Sequence, residues 1–275
     1  MVVQRLLAFK RFLAAWITEL EYRLRTWWPF RVGSGARRVF FPGCALTAAD
    51  PELTLKTFEW LKARDPGIEL WADCCGMPLE KFSTPAAAAR GHARTRRLLR
   101  AANTKEIITA CGNCTVQFNA LREPGLTVTS LYRLLAEQEW GPRASAVPAI
   151  VHHPCSARID RGQQDDFRAL AARLGLRLSN ADSKSHALAC CLVKTPSAMK
   201  RREALSGQPL VTYCAHCTVS FQNDLDTRHV LQETFGSTER WVARGKLGRF
   251  LQYFRFARRA KRAEPAPAGE ALSLE

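Results

Sequence analysis

All ten cysteines of this 275-residue chain fall into two copies of one five-cysteine pattern, so the fold must gather distant segments around thiols. The first copy is Cys44, the adjacent pair Cys74 and Cys75, then Cys111 and Cys114. The second is Cys155, the pair Cys190 and Cys191, then Cys214 and Cys217. The gaps run twenty-nine, thirty-five and two residues in the first copy, against thirty-four, twenty-two and two in the second. The flanks repeat as well: Cys111-Gly-Asn-Cys-Thr-Val-Gln-Phe118 parallels Cys214-Ala-His-Cys-Thr-Val-Ser-Phe221, and Pro42 and Pro154 stand just ahead of the leading cysteines. Such self-similarity marks a duplicated unit organised around cysteine chemistry.

A disulfide framework belongs to small, core-poor secreted domains. Here 47% of the residues are hydrophobic, enough for a core that needs no staples. Lys10 and Arg11 interrupt the only N-terminal stretch that could serve as an export signal. The expected setting is therefore cytoplasmic, with reduced thiols, where paired C-x-x-C spacing most often means structural zinc. Zinc closes its shell with four ligands, so five cysteines per copy leave one over. Adjacent cysteines in extended chain point to opposite sides and rarely converge on one ion. A cluster of several irons offers several coordination points, so neighbouring thiols can each hold a different iron. Iron-sulfur is the reading the sets favour; a zinc-stabilised scaffold is the alternative.

The layout, with Cys-Cys-Gly at residues 74 to 76, resembles the cysteine-rich CCG domain of heterodisulfide reductase B subunits, over about residues 38 to 225. Similar domains occur in iron-sulfur subunits of glycolate, lactate and some succinate dehydrogenase systems. In that family each complete five-cysteine set holds one noncubane 4Fe-4S cluster, and the two clusters face a shared cavity where a disulfide is split. The resemblance implies one cluster on Cys44, Cys74, Cys75, Cys111 and Cys114, and a second on Cys155, Cys190, Cys191, Cys214 and Cys217. It departs in the second half, where Leu192 stands in place of the family's glycine after the cysteine pair. Glycine takes positive φ freely and leucine does so at a cost, so the second centre is expected to be the altered one.

Short apolar runs end just before the cysteines: Val39 to Phe41, Ile68 to Ala72 and Ile107 to Ala110, then Ala149 to Val151 and Leu210 to Tyr213, with a weaker signal before Cys190. Runs of this length separated by helical stretches read as buried parallel strands. Helices are expected at Pro51 to Ala63 behind Asp50 and at Pro85 to Ala101 behind Thr84. The predicted fold class is α/β: two pseudo-repeated Rossmann-like units with parallel strands, the cysteines at the strands' C-terminal ends, and terminal amphipathic helices. Each C-x-x-C is followed by an expected helix start, whose N–H groups favour thiolates. The expected divisions are an amphipathic helix at 1–37, iron-sulfur domains at 38–145 and 146–239, a basic helix at 240–262 and a disordered tail at 263–275.

Basicity belongs to the ends. Residues 1 to 38 carry eight Lys/Arg against two Glu, and residues 240 to 262 carry nine against none. Val2, Leu6, Phe9, Leu13, Trp16, Leu20, Leu24 and Trp27 recur at helical spacing, and Leu247, Phe250, Leu251 and Phe254 draw a shorter stripe. Aromatic faces rimmed with basic residues suit either an anionic membrane surface or a partner's groove, and neither stripe is long enough to span a bilayer. No nucleic-acid motif appears, so nucleic acid is not an expected partner.

Neither a Gly-rich dinucleotide fingerprint nor a ferredoxin-type cysteine run is present. A chain with clusters and no entry cofactor is expected to work with a flavin- or ferredoxin-type redox subunit. Its expected role is disulfide reduction or electron transfer inside an oxidoreductase complex, with a disulfide or quinone as substrate, at the cytoplasmic face of a membrane. The alternative is an electron-relay or membrane-anchoring subunit of a succinate, glycolate or lactate dehydrogenase-type complex. His152, His153 and His216 lie beside the second set and are weaker candidates for proton donation; packing is the plainer account of them. Arg90, Arg94, Arg96, Arg97 and Arg100 on one helix read as a solvated face.

Overall fold

The computed structural model of the chain describes residues 2–27, 36–140, 148–179, 191, 195–204, 206–241 and 245–263. Cys190, Leu192 and the tail beyond Ala263 therefore lie outside the described residues.

Two parallel sheets carry the cysteines. The first has strands β1 (Arg38–Phe41), β2 (Ile68–Leu70), β3 (Glu106–Thr109) and β4 (Thr127–Ser130), in the order β2-β1-β3-β4. Phe40 aligns with Leu70 on one side and Ile108 on the other. The second has β5 (Ile150–His152), β6 (Leu210–Thr212) and β7 (Thr227–His229), in that order and all parallel. On its free side β5 makes one further parallel bridge, Ala149 with Leu178, in the position that β2 takes beside β1. The strands expected before Cys44, Cys74, Cys111, Cys155 and Cys214 are thus present, while the weaker one before Cys190 falls outside the described residues. Strands β4 and β7 were not expected: neither leads to a cysteine, and their Thr- and His-containing sequences make no continuous apolar run.

Along β1 the side chains alternate between two cores, as a strand covered on both faces requires. Phe40 joins Leu46, Ile108 and Leu131 with Phe167, Val211 and Val230 of the second half in one shared core. Val39 and Phe41 face the other way, onto Trp71, Ile107 and Phe118, with Phe41 edge-on to Trp71 at 5.3 Å and to Phe118 at 4.9 Å. The sequence doubling is a packing unit: neither half has this core alone.

The helices between strands begin where their caps dictate. After α1 (Val2–Thr26) and α2 (Cys44–Ala49), α3 (Pro51–Lys62) opens with Asp50 Oδ1 accepting the Leu53 N–H at 2.8 Å. After α4 (Met77–Phe82), α5 (Pro85–Ala101) opens with Thr84 Oγ1 accepting the Ala87 N–H at 3.2 Å. Proline holds the first position of both, and caps of this kind contribute about 1 kcal/mol each. The remaining helices are α6 (Gly112–Leu121), α7 (Leu131–Ala136), a single 3-10 turn (Cys155–Arg158), α8 (Gly162–Arg173), α9 (Pro196–Glu203), α10 (Ala215–Phe221), α11 (Val230–Phe235) and α12 (Lys246–Ala263).

Both terminal helices pack on the body. The end of α1 lies on α4, burying Tyr22 against Leu79 and Ala87, while Phe9, Phe12, Leu13, Trp16 and Leu20 stay exposed. Helix α12 lies on α2 and α3 through Tyr253, Phe256, Ala257 and Ala260. This is not the stripe read from the sequence: Leu247 and Leu251 are exposed. Alanines allow close helix approach yet add little to an apolar stripe, so the true inner face was inconspicuous. Of the α5 arginines, Arg90, Arg97 and Arg100 are exposed, as a solvated face requires, while Arg94 and Arg96 are half-buried. Arg94 reaches Asp73 at 2.9 Å, Arg100 pairs with Glu123, Arg90 with Glu19, and Arg96 donates to the Leu121 carbonyl.

Candidate metal centre

Apart from Cys191, whose sequence neighbours lie outside the described residues, each described cysteine sits where a strand gives way to a helix. Cys44 opens α2 behind Gly43, and Cys155 opens the 3-10 turn behind Pro154. Cys111 and Cys214 are the N-cap residues of α6 and α10, which places Cys114 and Cys217 in the first turns. The two-residue gap of C-x-x-C thus puts a thiol at the cap and another one turn on, both beside free backbone N–H groups. Cys74 and Cys75 follow β2, and the chain then turns through Gly76, whose φ of +87° is left-handed, into α4.

The first set converges as a pair and a triple. Cys74 hydrogen-bonds Cys44, and Cys114 donates to Cys111 and contacts Cys75. The Cys74 thiol is pushed well above its ordinary value by its hydrogen bond to Cys44 and by burial. Cys114 is pushed up by Cys111 and Cys75, then by burial. Cys111 goes the other way, lowered first by the Cys114 S–H and held down by the N–H groups of Cys114 and Asn113. Buried thiols that raise one another cannot all ionise unless a cation enters among them. Among the described residues no three His, Cys, Asp or Glu side chains form a ready single-ion site. An all-sulfur donor set, mutually crowded, with Cys74, Cys75 and Cys114 buried and Cys44 and Cys111 half-buried, fits a thiolate-bound metal group, and these five are the residues that would hold it.

Gly43 makes this convergence possible. Its φ is +82°, and a Cβ there would lie 2.8 Å from Cys111 Cβ and 3.3 Å from Cys114 Sγ. Only a residue without a side chain lets the β1 loop close onto the first C-x-x-C.

In the second set Cys217 Sγ donates to Cys191 Sγ at 3.5 Å, and Cys191, Cys214 and Cys217 share a small buried cluster with Phe221 and Leu225. Contact with Cys191 first, then with Cys214, and burial after them push the Cys217 thiol well up. Cys155 stands at the boundary with the first half, 3.9 Å from Asn113 Oδ1 and 3.8 Å from Lys81 Nζ.

The two cysteine sets are interlocked. Helix α6 lies on the Cys155 turn, and α10 lies on α2, so each C-x-x-C helix packs against the leading-cysteine segment of the other half. A Cβ on Gly112 would run into Ser156 and Gln163, whose amide donates back to the Gly112 carbonyl at 3.3 Å. Tyr132, buried, places its hydroxyl 2.6 Å from the Ala110 carbonyl and 3.0 Å from the Tyr213 carbonyl, the residues just before Cys111 and Cys214. One phenol thus ties together the strand ends that carry both motifs. Sequence reasoning missed Tyr132, because it follows the unexpected β4 and has no cysteine beside it. Of the histidines, His153 is buried with Nδ1 2.8 Å from the Tyr213 hydroxyl, His152 packs edge-on to Phe221 at 4.7 Å, and His216 is half-buried in the first turn of α10.

No curated protein matches the chain. A crystal structure of an aspartate racemase homologue from Pyrococcus horikoshii OT3 aligns over 82% of this chain and 99% of its own, at 13% identity and a TM-score of 0.30. The sequence around the first centre is the informative part: residues 38–119, spanning Cys44 to Cys114, match the family of the cysteine-rich domain called CCG.

Proposed function

We propose that this chain is the iron-sulfur redox component of a larger oxidoreductase, resembling the heterodisulfide reductase B subunits, with two noncubane 4Fe-4S clusters. Cys44, Cys74, Cys75, Cys111 and Cys114 hold one; Cys155, Cys190, Cys191, Cys214 and Cys217 hold the other. The observation that carries the reading is the convergence of an all-thiol set, most of it buried, at parallel strand ends within the segment 38–119 that matches the CCG domain. A cluster bound there supplies one-electron redox chemistry. The chain's own part is to keep thiolates in place: first-turn N–H groups favour their charge, and Phe41, Trp71 and Phe118 exclude water from one side. Tyr132 fixes the spacing of the two strand ends. The substrate class is a disulfide, or a quinone reached through a flavin- or ferredoxin-type partner.

Anaerobically purified protein is expected to be brown, with iron and sulfide in equal amounts. Changing Cys74 and Cys75 to serine together is expected to remove about half the iron and leave one electron paramagnetic resonance signal. Colourless protein with stoichiometric zinc would instead establish the zinc-stabilised scaffold.

The exposed stripe of α1 favours a second reading, in which the chain also anchors or relays for a dehydrogenase-type complex. Phe9, Phe12, Leu13 and Trp16 present aromatic and aliphatic surface beside Lys10, and no helix among the described residues is long and apolar enough to cross a membrane. An interfacial helix on anionic lipid at the cytoplasmic face accounts for both facts. Replacing Leu13 and Trp16 with glutamate is expected to release the protein from anionic vesicles without loss of iron. A wild type that never sediments with vesicles would leave a partner protein as what covers the stripe.

A further inference from the structure

We propose that the N-terminal helix is part of the first metal centre, with Arg25 supplying a buried positive charge to the thiolates of Cys44 and Cys74. The inference deepens the reading of that centre as a holder of thiolates and rests on it.

Helix α1 reaches the centre through one face of its last turns. Tyr22 is buried in a cluster with Cys74, Leu79 and Ala87. One turn further, the Arg25 guanidinium lies over the Tyr253 ring, 5.6 Å from its centroid. Tyr253 is itself fixed: fully buried on α12, it donates its hydroxyl to the Ala72 carbonyl at 2.9 Å, two residues before Cys74. A flat guanidinium on an aromatic face is held in one orientation. Its Nη1 is buried with no hydrogen-bond acceptor. A donor left in that state is destabilising, more so when charged, unless an anion meets it.

The neighbouring groups narrow down which anion that is. Asp73 already takes Arg94 at 2.9 Å and the Cys74 N–H at 2.6 Å. Burial pushes the Tyr22 phenol up to about 12 and raises Tyr253 well above its ordinary value, so both are neutral at physiological pH. Glu21 on the same helix is nearby. Burial alone lowers the affinity of Arg25 for its proton, and the thiols of Cys44 and Cys74 are the first groups that raise it again. The packing points to the same two thiols: Tyr22, one turn before Arg25, is buried with Cys74, and α12, whose Tyr253 carries the guanidinium, lies on α2, which Cys44 opens.

The second half repeats the device with different residues. Lys81 of α4, a first-half helix, stands 3.8 Å from Cys155 Sγ. Each leading cysteine therefore has a cation brought to it by a segment outside its own half: α1 for Cys44 and α4 for Cys155. An imported positive charge favours both thiolate ligands and the more negative, reduced state of whatever they hold.

The test separates charge from shape, with or without iron. In the anaerobic protein, Arg25→Gln is expected to lower the reduction potential of one cluster and leave the other where it was, and Arg25→Lys is expected to keep both. In the full-length chain stripped by chelator, Cys44 is half-buried and open to small reagents. Its alkylation by anionic iodoacetate relative to neutral iodoacetamide, read by peptide mapping, is expected to fall on the order of threefold in Arg25→Gln and to hold in Arg25→Lys. Arg25→Met, which keeps a stem over Tyr253, replaces Arg25→Gln if circular dichroism shows lost helix. Unchanged ratios in the uncharged variants overturn the proposal, and so does an equal fall in Arg25→Lys. If the protein holds no iron, the alkylation ratio alone decides the role of Arg25, and the iron-sulfur reading fails separately.

Discussion

Gly43→Val is expected to lose the iron of the first set, about half of the total, and to unfold at markedly lower temperature than the parent protein. Two costs combine at this position. The backbone, at φ +82° and ψ 144°, occupies a region that side chains avoid, at a cost of about 1–3 kcal/mol. The new Cβ would also stand 2.8 Å from Cys111 Cβ and 3.3 Å from Cys114 Sγ, and the valine methyls extend further. Neither neighbour is a flexible side-chain end: both belong to the cap and first turn of α6, so overpacking adds a similar cost and displaces the C-x-x-C itself. Gly76 is the control. Its φ is +87°, yet a Cβ there meets nothing within 4 Å, so Gly76→Ala carries only conformational strain of about 1 kcal/mol. Iron per chain and the thermal midpoint by circular dichroism give the comparison. Parental iron content in Gly43→Val would show that the β1 loop does not shape the centre.

Much of this arrangement was legible in the sequence because the cysteine pattern repeats and the apolar runs before it are conspicuous. The strands before Cys44, Cys74, Cys111, Cys155 and Cys214 follow from continuous apolar runs, and α3 and α5 from Asp50-Pro51 and Thr84-Pro85. What joins the halves was not legible. Tyr132, Gly112, Gln163 and Trp241 act between segments far apart in the chain: Trp241 Nε1, for instance, donates to Asp50 Oδ2 at 2.9 Å. Pairings of this kind leave no local period. The same holds for Arg25 and Lys81, which look like ordinary helical cations until the fold sets them beside sulfur. For α12 the difficulty was different, since Ala257 and Ala260 share the buried face with Tyr253 and Phe256 while the more hydrophobic Leu247 and Leu251 are exposed.

Stability is expected to fall between pH 6.5 and 3 partly through one buried histidine, and His229→Asn is expected to flatten that fall. His229 ends β7, fully buried, with its ring 5.0 Å from Trp241 and 6.4 Å from Tyr132. Its Nδ1 accepts the Leu231 N–H at 3.2 Å and its own backbone N–H donates to Gln232 Oε1 at 2.9 Å, which together cap α11. With Nδ1 used as an acceptor, the neutral ring carries its proton on Nε2, and a second proton can bind only by breaking the cap. Burial lowers the pKa from 6.5 to about 3. The sign follows from proton counting: below pH 6.5 the unfolded chain takes up a proton that the folded chain refuses until about pH 3. Stability from this group is complete above pH 6.5 and declines by up to about 1.4 kcal/mol per pH unit below it. Asparagine can accept the same N–H and does not titrate, though the smaller side chain leaves space beside Trp241 and costs about 1–3 kcal/mol at every pH. Denaturant unfolding of both proteins at about pH 7 and about pH 5 isolates the histidine, because acid effects on the cysteine centres are shared and cancel in the double difference. The parent protein is expected to lose about 2 kcal/mol more than His229→Asn on going to the lower pH. Equal losses in the two proteins would mean that His229 takes up its proton in the folded state as readily as in the unfolded chain.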